Sequence, residues 1–176
     1  MKLFLILLMF SSSSDSLDFA QALRKQERIN MRGMTVLGSW SLLNMAFSAP
    51  HAFGQGSSEH KYYNQMNFFW STVNLGLAVP GYFSARKKFG NAKNDPEYFA
   101  LQNKRNKKIF FINTLLDVVY CGSGWWMWEK GNRETNTQLS GFGKSVVLQG
   151  GFLFGFDLAM FALHKRNGNK FKLKAL

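Results

Sequence analysis

Two aspartates, Asp117 and Asp157, lie inside long and otherwise almost uncharged apolar stretches. A carboxyl group at that depth can hold a proton, an ion or a small ligand, or it can hydrogen-bond between helices. On insertion scales it costs about 2.5–3.5 kcal/mol at the centre of a membrane helix, while an apolar residue returns about 0.3–0.6 kcal/mol. Packing alone is an expensive reason to place a charge there. Asn44, Asn67, Asn74, Asn113, Lys144 and Gln149 are the other polar candidates at similar depth. For the asparagines the plainer reading is structural, since a hydrogen bond between membrane helices contributes about 1 kcal/mol. Lys144 and the asparagines are the available partners of the two aspartates. Lys144 lies nearer one end of its stretch and can also snorkel to water.

Catalytic chemistry has no comparable signal. Cys121 is the single cysteine, which rules out an internal disulfide and a cysteine-based metal site. His51, His60 and His164 fall near the ends of apolar stretches, whereas an embedded haem needs paired histidines at mid-depth. There is no glycine-rich phosphate loop, nucleophile elbow or HExxH motif. The expectation is therefore no catalytic residue, no metal and no cofactor.

The elements that position these side chains follow from the apolar pattern. Four stretches, at about 34–53, 62–85, 109–128 and 139–163, each approach the roughly 20 residues needed to cross a bilayer. Short connections join the first pair and the last pair, so the expected fold is all-α: a polytopic membrane protein with four transmembrane helices arranged as two hairpins. On a 3.6-residue period each stretch shows one polar or small stripe. These are Ser41, Asn44 and Ser48; Asn67, Ser71, Asn74, Ala78 and Gly81; Asn113, Asp117, Cys121 and Gly124; and Asp157 with Gly150, Phe154, Phe161 and His164. Gly151, Gly155 and Ala159 form a small-residue face on the opposite side of the last stretch, suited to close approach by another helix, including one from a second copy.

The chain carries a net charge of +12, and most of its 22 lysines and arginines lie in three segments. These precede the first stretch (Arg24 to Arg32), link the second to the third (Arg86 to Lys108) and follow the fourth (Lys165 to Lys174). All three fall on one side of the expected bundle. Topology accounts for that spacing, so nucleic acid is not the expected partner, and the basic loops should meet anionic lipid headgroups. By the positive-inside rule both termini and the central loop face the cytoplasm. Residues 1–16 read as a signal-peptide-like segment, 17–32 as a short amphipathic helix, 33–166 as the four-helix domain and 167–176 as a basic tail. A cleaved leader would reverse the topology that the charges imply; the reading here follows the charges.

The two hairpins also resemble each other. Ser41-Leu42-Leu43-Asn44 matches Thr114-Leu115-Leu116-Asp117, and Asn74-Leu75 matches Asp157-Leu158, as expected of a parallel internal repeat.

Several segments carry a family resemblance: Arg28-Ile29-Asn30 through Gly33-Met34, Val36 to Trp40, Gln65-Met66-Asn67 with Trp70, Val73 to Gly76, Gly143-Lys144-Ser145 through Gln149 to Phe152, and Phe156-Asp157-Leu158. Over about residues 25–166 the chain resembles a family of small, uncharacterised bacterial membrane proteins known as a domain of unknown function. The resemblance implies a signal peptide and an inner-membrane, multi-pass location, and implies no activity. The functional expectation is a non-enzymatic structural or interaction module with a polar helix-bundle interior. The alternative is a small transporter or proton-coupled carrier using Asp117 and Asp157.

Overall fold

A computed structural model describes residues 18–55 and 57–173, so the signal-like segment expected at 1–16 lies outside the described residues. Four long helices make up the chain: α1 (Phe19–Ala52), α2 (Glu59–Gly90), α3 (Pro96–Arg133) and α4 (Thr137–Leu173). Their starts are set by side-chain caps that satisfy the first free backbone N–H groups. Asp18 accepts from Gln21 N at 3.0 Å, Ser58 from Lys61 N at 3.2 Å, Asp95 from Tyr98 N at 2.9 Å, and Asn136 from Leu139 N at 3.0 Å. Pro96 opens α3, where its missing N–H costs nothing.

The helices run longer than the apolar stretches. The segment 17–32 is not a separate element: from Phe19 it forms the first half of α1, which continues unbroken to Ala52. The basic tail is likewise helical as far as Leu173. Both extensions are held by buried contacts, such as Asn167 Nδ2 donating to Ala22 O at 3.3 Å.

α1 packs along α2 and α3 along α4, giving the two expected hairpins. α4 also packs on α2 and on α1, so it touches all three other helices. α2 and α3 do not approach each other closely, and side chains bridge the space between them. The Trp70 and Tyr120 rings meet there at 5.2 Å, and Lys88 Nζ donates to Gln102 Oε1 at 3.5 Å. A twofold repeat would require α2–α3 to mirror α1–α4, and this pair of interfaces differs.

Burial reverses along the bundle axis. At the basic end Ala22, Leu23, Phe99 and Phe171 form a buried apolar cluster, with Phe19 and Ala92 against it and buried Gln26, Asn103 and Asn167 beside it. Around that cluster Arg24, Lys25, Lys104 and Lys170 are exposed. Further along, the interior is polar, with Ser41, Ser71 and Gln149 each at most 1 % exposed, while Leu42 is 56 % and Phe47 75 % exposed. Among the described residues one helix, α4, is long and apolar enough to cross a membrane by length and composition.

The close helix contacts use glycines other than those of the small-residue face. A Cβ on Gly124 would meet Val147 N at 2.9 Å, and one on Gly150 would meet Cys121 N at 3.2 Å. Gly141 admits α2 in the same way, 2.9 Å from Tyr63 N. Gly151 and Gly155 have nothing within 4 Å, so that face packs on no helix of this chain.

Candidate functional site

The polar side chains form layers stacked along the bundle. In the outermost, Glu59 at the start of α2 pairs with Lys144 of α4 and accepts from Ser140 Oγ at 3.0 Å. Ser140 Oγ also lies 2.9 Å from Asn132 Oδ1. Lys144 stands over the Trp128 ring at 5.3 Å. The hydrogen bond and charge of Lys144 hold the Glu59 carboxyl below its ordinary range, against an opposing effect of burial. Lys144 is therefore committed to Glu59 and is not the partner of the aspartates. Glu59 lies 85 residues from Lys144 and outside the apolar stretches, so sequence spacing does not point to the pair.

The next layer is a closed amide network. Asn67 Nδ2 lies 2.9 Å from Asn44 Oδ1 and 2.8 Å from Ser48 Oγ, and Asn67 Oδ1 accepts from Gln149. Gln149 Oε1 accepts from Trp40 Nε1 at 3.0 Å, and the Trp40 ring stacks on Phe152 at 4.1 Å. Asn44 Nδ2 returns to Trp40 O at 2.8 Å. This network ties α1, α2 and α4 together. Buried amides with their partners in place rigidify a core, which is the structural role expected of the asparagines.

The acid layer differs. Asp117 and Asp157 are 2 % and 5 % exposed and face one another across the α3–α4 contact, close enough to influence each other. Asn113 lies beside them on the same face of α3 as Asp117. Asp117 Oδ2 and Asn74 Nδ2 are buried without a hydrogen-bond partner among the described residues. All four side chains line a cavity of about 360 Å³ in the space that α2 and α3 leave open. Met34, Leu37, Phe110, Leu153 and Phe156 supply its apolar walls, with Trp70 and Tyr120 among the lining side chains. A second cavity, of about 240 Å³, shares Met34, Ile109 and Phe110 and continues toward the basic end past Asn30, Lys88 and Arg105. The cleft thus runs from the basic end to the acid pair.

Below that pair lies a fourth layer, in which His164 falls on the expected face and Gln26, Asn30 and Asn103 join it from outside the apolar stretches. His164 is fully buried, stacked on Phe110 at 5.4 Å, with Nε2 2.9 Å from Asn30 Oδ1. Asn30 Nδ2 donates to Glu27 at 3.0 Å, and Asn103 Nδ2 donates to His164 O at 3.0 Å and to Gln26 at 3.3 Å. The signal was present: Gln26, Asn30, Gly33, Leu37 and Ser41 extend the stripe of Asn44 and Ser48 at the same period. This part of the stripe precedes the apolar stretch that begins at Met34. On α4, Asp157, Gly150 and His164 share the buried face as expected, whereas Phe154 is exposed. The repeat-matched residues make unmatched contacts, since Asp117 meets Asp157 but Asn44 bonds Asn67 and not Asn74.

Chemically, two facing carboxyl groups repel when both are charged, and a proton or a cation between them removes the repulsion. Among the described residues no group of three or more His, Cys, Asp or Glu side chains could hold a metal ion.

Fold and site together define an all-α four-helix bundle with a polar interior and an acid pair in an open flank. The chain belongs to the family of unknown function DUF6992, whose model matches residues 36–158. This agrees with the resemblance to a domain of unknown function. The matched segment contains the amide network and the acid pair, and ends before His164. No curated protein and no solved structure matches the chain.

Proposed function

We propose that this chain is an integral membrane protein of four spanning helices that binds a proton or small cation at the Asp117–Asp157 pair, as a small carrier would. The observation that carries this reading is the contrast between two buried layers. The amide network closes on itself, while the acid layer leaves Asp117 Oδ2 and Asn74 Nδ2 unpartnered beside a cavity. A buried polar atom without a partner calls for something to fill the gap. The membrane part is supported by the change along the bundle: an apolar cluster under a basic surface suits water, and a polar interior under exposed Leu, Phe and Val suits lipid. It is supported also by the basic residues gathered at one end, which would face the cytoplasm of a bacterial inner membrane. The polar interior away from the acid layer serves as a non-enzymatic scaffold.

Two measurements test this. Cells carrying Cys121→Ser and Lys93→Cys, treated with a membrane-impermeant thiol reagent, should label only after lysis. Labelling in intact cells would overturn the inward placement of the basic loops. In isolated membranes a hydrophobic carbodiimide, which attacks protonated carboxyl groups in apolar surroundings, should modify Asp117 or Asp157. Asp117→Asn and Asp157→Asn should each keep the bundle folded, and the double variant should lose the modification. An unmodified wild-type protein, or single variants that fail to fold, would make the pair structural.

A further inference from the structure

On the opposite flank from the cleft, α1 and α4 enclose an outer groove in two continuous parts. The first, of about 590 Å³, has a floor of Gly33, Gly151, Gly155 and Ala159 between walls that include Val36 and Phe152. The second, of about 920 Å³, lies toward the basic end and is lined by Lys25, Arg28, Arg32, Lys165, Arg166 and Lys170. Ile29, Arg32 and Leu163 belong to both. No carboxylate lines either part, and among the described residues none of these six cations forms a salt bridge.

We infer that this groove is a binding site for one anionic phospholipid, with its phosphate among Arg28, Arg32, Lys165 and Arg166 and an acyl chain over Gly151, Gly155 and Ala159. The inference rests on the membrane-spanning reading above. The charge sequence along the groove is that of the lipid itself, with an anionic head at the basic end and a hydrocarbon tail toward the middle. From Gly151 to Leu163 the floor runs about 18 Å at 1.5 Å per residue, close to half of a hydrocarbon core about 30 Å thick, which is one leaflet. The glycines have a purpose here: any side chain at 151 or 155 would fill the space the tail occupies. A second copy fits less well. Two copies sharing one membrane orientation and meeting through this face would set six cations against six at the same depth. Basic pockets between helices at the cytoplasmic surface select headgroups in this way.

The test uses the full chain purified in mild detergent, with native mass spectrometry after addition of phosphatidylglycerol or phosphatidylcholine. Wild type should retain phosphatidylglycerol in preference. Arg28→Gln with Arg32→Gln and Arg166→Gln should lower that retention about tenfold or more, because each cation adds to the attraction for the headgroup. Gly155→Leu, which touches no helix of the chain, should lower it at unchanged melting temperature. Equal retention of both lipids, or equal retention by the variants, would overturn the site while leaving the spanning reading intact. A wild-type dimer that Gly155→Leu turns into a monomer would make the occupant a second copy and overturn the proposal. Release of the protein from membranes by alkaline carbonate would overturn the spanning reading and the site with it.

Discussion

Gly143→Leu is expected to abolish the folded bundle. A Cβ at position 143 would fall on the backbone of Trp128 and on the carbonyl of Gly124, both in α3. Neither is the end of a flexible side chain that could rotate away, so α3 and α4 would have to move apart over that stretch. Overpacking a well-filled core costs about 1–3 kcal/mol when side chains can adjust, and more when backbone must yield. A loss of about 3 kcal/mol or more is therefore expected, a large share of a typical domain's stability. Separation would also pull Asp117 from Asp157 and weaken the Lys144–Glu59 contact, both of which depend on α4 keeping its register. The control is Gly151→Leu, eight residues along the same helix with open space around it. Size-exclusion profiles and thermal unfolding in detergent should show Gly143→Leu aggregated or absent and Gly151→Leu unchanged. Equal behaviour of the two would mean that the α3–α4 contact is not as close as described.

Asn67→Leu is expected to cost about 3 kcal/mol, through the partners it abandons more than through the bonds it makes. Asn67 serves Asn44, Ser48 and Gln149 at once, and its side chain is 3 % exposed. Leucine has a similar volume, so little cavity forms. The Gln149 amide and the Asn44 carbonyl would stay buried with a valence unfilled, at about 1–3 kcal/mol each. Adding Gln149→Leu should then cost less than its effect alone, because a partner already orphaned is removed. Chemical unfolding of the two single variants and the double variant would measure this. Strict additivity would mean that Asn67 and Gln149 do not share one network.

The buried stripes were legible because helical period alone determines them: Asn44, Asn67, Asn74, Asp117 and Asp157 all lie inside, as the 3.6-residue spacing requires. What period cannot give is the partner across the interface. Depth offers Lys144 and the asparagines alike as partners of the aspartates, and it leaves out Glu59, which sits outside the apolar stretch and pairs with Lys144 from 85 residues away. The glycine faces show the same limit. Gly151, Gly155 and Ala159 have the spacing of a packing face, and so do Gly124 with Gly131 on α3 and Gly143 with Gly150 on α4. Only the arrangement of helices decides which face meets protein. The gap between α2 and α3 was illegible for a related reason: a hairpin pattern specifies neighbours in sequence and says nothing about how two hairpins lean together.

α4 touches every other helix, and it is made after the other three. Until a ribosome has released it, α1 and α2 have each other, but α3 has only slight contact with α1, and Asp117 waits without its counterpart. Any chain interrupted before residue 137 would display α3 with its aspartate and amides unclaimed, a state that a quality-control protease can tell from the finished product. The order of synthesis therefore makes the arrival of α4 the step that joins the first hairpin to α3.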